Sequence, residues 1–435
     1  MVNVSQKKLL QIELNEFDPV FLLNQAEKLG LDHTKQFLKF SHTTTITDDE
    51  VEHQGLDPWV QWVNIHTGLP STRHGIKRLG DTSSQSTPQI WEALASKDKS
   101  WIAWGVMNAP MGNGEGAEAF MPDPWSFDEV AYPDNLNDLL SLPRYMARNY
   151  LETNKVIFLR KFLHFVKYYA PPSHWPNLLK FTKEVIKSSV SVGVSIHSLT
   201  TLLDYLSALE FVRLRKLKNP DYSTIFLNHI AHLQHQFWLD DDELHPEMKF
   251  GLKINNLIME LLLKSRKTNE AVFVVNGLKQ KNVHKNGFHV YRQRNPVDTI
   301  QALVLDKSMS VEQCMTNDAH LKFSTKNQAD KIHAELKSIT LSDGQDLFFV
   351  ERVSDNHIFI QLCIEHDVDE NALINTPHGE LRFYDLFEHV CERTGAHVPY
   401  GDIFSDGITF PNKIHNHEIY SQTLNYFDVP FSQAA

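Results

Sequence analysis

Apolar and polar residues follow two different periods along this chain, and the switches between them mark its elements. Lys8-Leu-Leu-Gln-Ile-Glu-Leu-Asn15 reads as a strand, and Asp18 to Leu29 opens with Asp-Pro and keeps the apolar spacing of a helix. The same grammar returns twice. Pro88-Gln-Ile-Trp-Glu-Ala-Leu-Ala95 precedes the apolar run Trp101-Ile-Ala-Trp-Gly-Val106, and Ile254 to Lys264 precedes Ala271-Val-Phe-Val-Val275. Helices alternating with short apolar strands predict a mostly parallel sheet covered on both faces.

Between residues 115 and 220 the pattern changes to long apolar and basic runs at helical spacing, as in Val156 to Tyr169 and Leu178 to Ser189, which predict a helical insertion. Asp221-Tyr-Ser-Thr-Ile-Phe-Leu227 is the next strand candidate. It delivers Asn228 to the carboxyl edge of the sheet, where α/β proteins keep their sites. Residues 285–365 mix short strands, helices and the polar turn Ser342-Asp-Gly-Gln345, as a small α+β block would. The α/β core is then 1–114, 221–284 and 366–435.

Composition narrows the function classes. With 435 residues, 42% hydrophobic and 22% charged, the chain is long enough for one large α/β domain with insertions. A net charge of −12 argues against general affinity for nucleic acid or acidic membranes, which leaves room only for a local basic patch. Arg160, Lys161, Lys167, Arg213, Arg215, Lys216 and Lys218 make the insertion locally basic; such charges usually form a solvated face, though they could steer an anionic substrate or meet a polyanionic partner. Cys314, Cys363 and Cys391 are too few and too scattered for a disulfide framework or a cysteine-rich zinc site. The first residues are unlike a secretory signal and no apolar run approaches the roughly 20 residues a membrane span needs, so a cytoplasmic location is expected.

Chemistry concentrates in Phe226-Leu-Asn-His-Ile-Ala-His-Leu-Gln-His-Gln-Phe-Trp238. His229, His232 and His235 stand three residues apart beside Asn228, a ladder able to bind metal, hold an oxyanion or shuttle protons. Any one of them alone is better explained as a hydrogen-bonded core histidine. Three together argue for a site.

A second unusual segment carries His66-Thr-Gly-Leu-Pro70 and His74-Gly-Ile76. It resembles the segment after the nucleophile in the alkaline phosphatase superfamily, particularly its type I phosphodiesterase and nucleotide pyrophosphatase branch. Ile12–Asn15 is similar to that family's first metal-binding strand, and Asn228-His-Ile-Ala-His232 to its Asp-x-x-x-His pair. Val274-Val-Asn-Gly277 is similar to its Asp-His-Gly strand end, and Thr394-Gly-Ala-His-Val-Pro-Tyr-Gly401 to its late histidine loop. The resemblance implies a three-layer, alkaline-phosphatase-like α/β fold with a mostly parallel sheet, a helical insertion and a small α+β block. It covers most of the chain outside the insertion and the α+β block.

The departures from that pattern bear on mechanism. Asn15, Asn228 and Asn276 stand where the family has aspartates, Gly277 where it has a histidine, and the nucleophile position falls on or beside Pro58, next to Asp57. Three neutral amides in place of three carboxylates remove the charge that two divalent ions require. One ion, zinc-like, could persist on His232 and His397 with a carboxylate from Glu13, Glu16 or Asp57, Glu13 being the assigned ligand. Asn15, His66, Asn228 and Asn276 are assigned to substrate, since amides can donate to phosphate or sulfate oxygens without a metal. Asp57 reads first as a helix cap, and otherwise as a general base, a ligand or a carboxylate nucleophile; His229 and His235 have no counterpart in the family and join Asp57 as catalytic candidates.

The expected function is that of a hydrolase or transferase acting on a phosphate-type ester. The alternatives are a binding protein that kept the fold and lost the ions, and a group transferase for carbohydrate or lipid building blocks. The expected partner is a small anionic ester or a glycan or lipid precursor, not nucleic acid.

Overall fold

The computed structural model describes residues 7–47, 56–84, 86–149, 154–168, 172–192, 196–239, 243–314 and 317–430. The chain forms two compact units, Met1–Asn282 with Gly395–Ala435, and Val283–Thr394.

The first unit begins β1 (Lys8–Leu14), α1 (Pro19–Leu29), α2 (Asp32–Phe37), β2 (Ser41–Ile46), α3 (Pro58–Thr67), α4 (Ser71–His74), α5 (Ile90–Ala95), β3 (Trp101–Val106) and β4 (Ala117–Pro122). It continues with α6 (Asn137–Arg148), α7 (Lys155–Tyr168), α8 (Trp175–Val192), α9 (Ile196–Lys218), β5 (Tyr222–Leu227), α10 (His229–Phe237), α11 (Pro246–Lys264), β6 (Glu270–Val275) and β7 (Lys279–Asn282). The second unit runs β8 (Phe288–Gln293), α12 (Pro296–Val304), β9 (Ser310–Gln313), β10 (Asp318–Lys322), α13 (Lys326–Lys337), β11 (Thr340–Leu341), β12 (Phe348–Ser354), β13 (His357–Leu362), β14 (Leu373–Thr376), β15 (Gly379–Arg382), α14 (Phe383–Leu386) and β16 (Phe387–Arg393). The chain then returns to the first unit through β17 (Gly395–Val398), β18 (Tyr400–Asp406), β19 (Lys413–His415) and α15 (Glu418–Tyr426).

Among the described residues the first unit holds an eight-stranded sheet in the order β19-β2-β18-β6-β1-β5-β3-β4. All neighbours are parallel except those of β18, which runs antiparallel to both β6 and β2. The architecture is the three-layer α/β class with a mostly parallel sheet. Alternation along β1 supplies both faces. Leu10, Ile12 and Leu14 enter a core shared with residues of α1, α9 and α11, whereas Leu9 enters another with Trp62 of α3, Trp91 of α5 and Leu424 of α15. The helix read from Asp18 onward is formed as its signals require. Asp18 accepts a hydrogen bond from the Phe21 amide at 2.7 Å, Pro19 occupies the first turn, and Gly30 ends the helix at φ +67°.

Two expected boundaries move. β4 lies within the interval 115–220 yet pairs with β3 as the sheet edge, so the helical segment starts after it with α6. The α+β block does not end at residue 365: β16 pairs with β8, which keeps the chain in the second unit as far as Thr394. That unit has its own core, including Ile300, Leu321, Ile332 and Ile360. Arg215, counted with the basic surface, is buried and bonds Glu270, Ser223 and Ser265.

Candidate functional site

β1 and β5 are adjacent and parallel, so Asn15 and Asn228 emerge side by side at their carboxyl ends. Asn15 is buried, and its Nδ2 donates to Asn228 Oδ1 at 2.8 Å and to Glu16 Oε1 at 2.7 Å. Its Oδ1 accepts from Trp62 Nε1 at 2.8 Å. Asn228 passes the chain outward, donating from Nδ2 to His232 Nε2 at 3.1 Å on the exposed side of α10. A relay of amides therefore runs from a buried indole to a surface imidazole.

Glu16 follows β1 in the left-handed region at φ +60°, so its side chain leaves the strand's alternation. There its Oε2 meets His397 Nε2 at 2.9 Å and His235 Nε2 at 2.9 Å, and the two Nε2 atoms are 3.3 Å apart. Each ring is pinned from behind. His397 Nδ1 donates to the Leu56 carbonyl at 2.5 Å, and His235 Nδ1 to the Gly395 carbonyl at 3.1 Å, since a carbonyl can only accept. Both Nδ1 atoms thus carry hydrogen, and in neutral rings both Nε2 lone pairs face the carboxylate. Three acceptors pointed at one spot need a cation between them, a proton or a metal ion. Gln280 Nε2 donates to Glu16 Oε2 at 2.6 Å and keeps the carboxylate in place.

Burial by itself would raise the Glu16 carboxyl, but attraction to His397 and His235 and their hydrogen bonds outweigh it and hold the group well below the usual carboxylate range. The side chains of Glu16, His235 and His397 are 4%, 13% and 17% exposed, so solvent reaches the two rings.

This donor set suits one divalent ion. A carboxylate oxygen and two imidazole nitrogens, each ring fixed by a partner on its other nitrogen, is the ligand chemistry of zinc with a position left open. A tetrahedral shell with bonds of about 2.0–2.1 Å spaces its donors roughly 3.3 Å apart. The histidine pair already stands at that spacing, 3.3 Å.

The second half of a two-ion site does not fit. Asn276 spends its side chain on main chain: Oδ1 accepts from the Asp402 amide at 2.7 Å and Nδ2 donates to the Phe17 carbonyl at 2.9 Å. Gly277 lies at φ +72°, and a Cβ there would come within 3.2 Å of the Trp62 ring. The indole, fully buried, fills that side and takes the Asn15 oxygen for itself. Pro58 opens α3 without a hydroxyl.

The assigned roles change accordingly. Glu13 is not a ligand: wholly buried, its Oε1 accepts from Gln11, His66 and Thr224. His66 is likewise no substrate contact, being enclosed with Glu13 between Trp62 and Trp91. Asn276 is a main-chain brace. His235, one turn further along α10, takes the place expected of His232 beside Glu16 and His397, while His232 is exposed and bonded to Asn228. His229 is no proton shuttle to substrate; its Nδ1 and amide both donate to Asp204 on α9, at 2.8 Å each, and Asp204 also takes the Asn228 amide at 2.7 Å. That carboxylate satisfies the first amides of α10 in place of a cap from Asn228. Asp57 stands at the start of α3 but makes no side-chain capping bond there; its neighbour Leu56 supplies the carbonyl that holds His397.

Sequence reasoning left Glu16 as one of three possible carboxylates and missed Gln280. Its signal was position: Gln280 is the cross-strand partner of His397 on the β7–β17 ladder.

No protein-family model matches the chain, and no curated protein does. Among solved structures, murine ectonucleotide pyrophosphatase/phosphodiesterase 5 is similar at 11% identity and a TM-score of 0.49, covering 98% of this chain and 97% of its own. Phosphonoacetate hydrolase from Sinorhizobium meliloti 1021 is similar at 11% identity and a TM-score of 0.42, covering 97% and 96%. TAB5 alkaline phosphatase, a His-to-Asp mutant with Mg bound, is similar at 9% identity and a TM-score of 0.38, covering 98% of each chain.

Proposed function

We propose that this chain is a hydrolase or group transferase acting on a phosphate-type ester, with a single divalent ion, zinc-like, held by Glu16, His235 and His397. The observation that carries this reading is the convergence of Glu16 Oε2 with two imidazole Nε2 atoms whose opposite nitrogens are both fixed on main-chain carbonyls. When bound, such an ion would polarise a phosphoryl oxygen and acidify a water. The remaining work falls to the chain itself. Asn228 orients His232 by donating to its Nε2, so neutral His232 carries its hydrogen on Nδ1. An exposed imidazole so oriented is suited to donate to an anionic ester oxygen or to protonate a leaving group. Trp62 and Asn276 keep the second-ion region closed, which supports a one-ion site over the family's two-ion chemistry.

A second reading, an anion-binding protein without turnover, draws support from Pro58 at the nucleophile position. One experiment separates them. Purified protein is analysed for metal, titrated with zinc against a chromogenic chelator, and assayed on phosphodiesters, phosphomonoesters and sulfate esters. We expect one equivalent of ion, weakened in H235A and H397A by more than the ~10–100-fold that loss of an outer partner costs. H232A should keep the ion and lose turnover. An ion lost in H232A but kept in H235A would overturn the ligand assignment, and absence of both ion and turnover would favour the second reading.

A further inference from the structure

Two helices of the first unit carry the same surface design. Along α7, Val156, Leu159, Leu163 and Val166 recur at helical spacing and are 77%, 55%, 60% and 44% exposed, while Phe165 on the opposite side is buried. Arg160 and Lys167 stand at the edge of that apolar stripe, within an arc of roughly 120° at 3.6 residues per turn. Along α8, Trp175, Leu179 and Ile186 form the outward stripe at 57%, 69% and 63% exposure, with Phe181 buried behind them. Lys180, Lys183 and Lys187 flank it on one side, Lys180 paired with Glu260 at 2.9 Å and Lys187 with Glu184 at 3.0 Å, both on the surface.

Charge singles these helices out further. The whole chain carries −12, yet α7 holds four Lys or Arg residues and no carboxylate, and α8 three Lys against Glu184 alone. The basic residues nearer the sheet are engaged elsewhere: Arg215 is buried on Glu270, and Arg213 is paired with Glu210. Neither α7 nor α8 is long and apolar enough to cross a membrane.

We propose that α7 and α8 dock on the surface of an anionic lipid bilayer. Apolar side chains with a tryptophan on one sector and cations beside them suit the boundary between acyl chains and headgroups, where the stems of Lys and Arg lie along apolar surface and their charges meet lipid phosphates. A second copy of this chain is a poorer occupant. A two-fold interface through α7 would set Arg160 and Lys167 against the same residues of the partner, like charge against like. The proposal stands apart from the reading of the ion site, since neither helix contributes a residue to it.

The test is flotation of the full-length protein with vesicles of phosphatidylcholine alone and of phosphatidylcholine with phosphatidylglycerol, at low and high salt. The wild type is expected to float with the anionic vesicles only, and less so in high salt. Affinity should fall about fivefold for each of R160Q and K167Q, and at least about tenfold for L159Q/L163Q. These exposed substitutions should leave the melting temperature and the bound metal unchanged, which separates loss of docking from loss of fold. Equal binding to both vesicle types, or variants indistinguishable from wild type, would overturn the proposal. So would the absence of vesicle binding together with a sedimentation-detected dimer that L159Q/L163Q dissolves, an outcome that assigns the face to a second copy.

Discussion

At the scale of single residues, Glu16 decides what the site is. Its carboxyl is held below its ordinary value, so the stability it contributes is fully present above the unfolded value of about 4.3 and is lost as pH falls through the depressed folded value. In chelator-treated protein the melting curves of wild type and E16Q should therefore lie furthest apart near neutrality and converge in acid. A gap that stays constant from neutral to acid pH would show that Glu16 is not ionised against the histidines. Glu16, His235 and His397 were all visible in the sequence, but not as a set. What periodicity cannot encode is the left-handed turn at Glu16, which takes its side chain out of the alternation of β1. The histidine ladder misled for a geometric reason. Steps of three fall short of a 3.6-residue turn, so His229, His232 and His235 fan around α10 by about 60° each. They meet a carboxylate on α9, solvent and the β17 strand respectively.

Among the elements, β1 and its neighbours were the most legible. Apolar density placed β1, β3, β5 and β6, and capping chemistry placed α1, because those signals are local. β18 was not legible, since an antiparallel strand entering between β2 and β6 is set by pairing across most of the chain. Asn276 shows what that strand demands. It ties the end of β6 to the turn after β1 through the Phe17 carbonyl and to β18 through the Asp402 amide. Restoring an aspartate there keeps the acceptor and deletes the donor, leaving a carboxylate oxygen against a carbonyl. N276D should cost about 1–3 kcal/mol in urea denaturation and should gain no second equivalent of metal. A gained equivalent would mean that the indole of Trp62 yields to an ion.

Across the whole molecule, the second unit is spliced into the first at one point. Asn282 and Gly395, the last and first residues of the first unit at that point, are cross-strand partners on the β7–β17 ladder. Replacing Val283–Thr394 by an Asn-Gly turn should therefore give a shorter chain that closes as a hairpin, melts cooperatively by circular dichroism and binds one ion with unchanged stoichiometry. Aggregation of the shortened chain, or loss of the ion, would show that the first unit depends on the second. The same ladder carries His397 and Gln280, both on Glu16. A fluorescent domain seated in place of Val283–Thr394 would ride directly on the strands that carry His397 and Gln280, so its emission should respond if the proposed ion binds: the hairpin is a socket for a sensor.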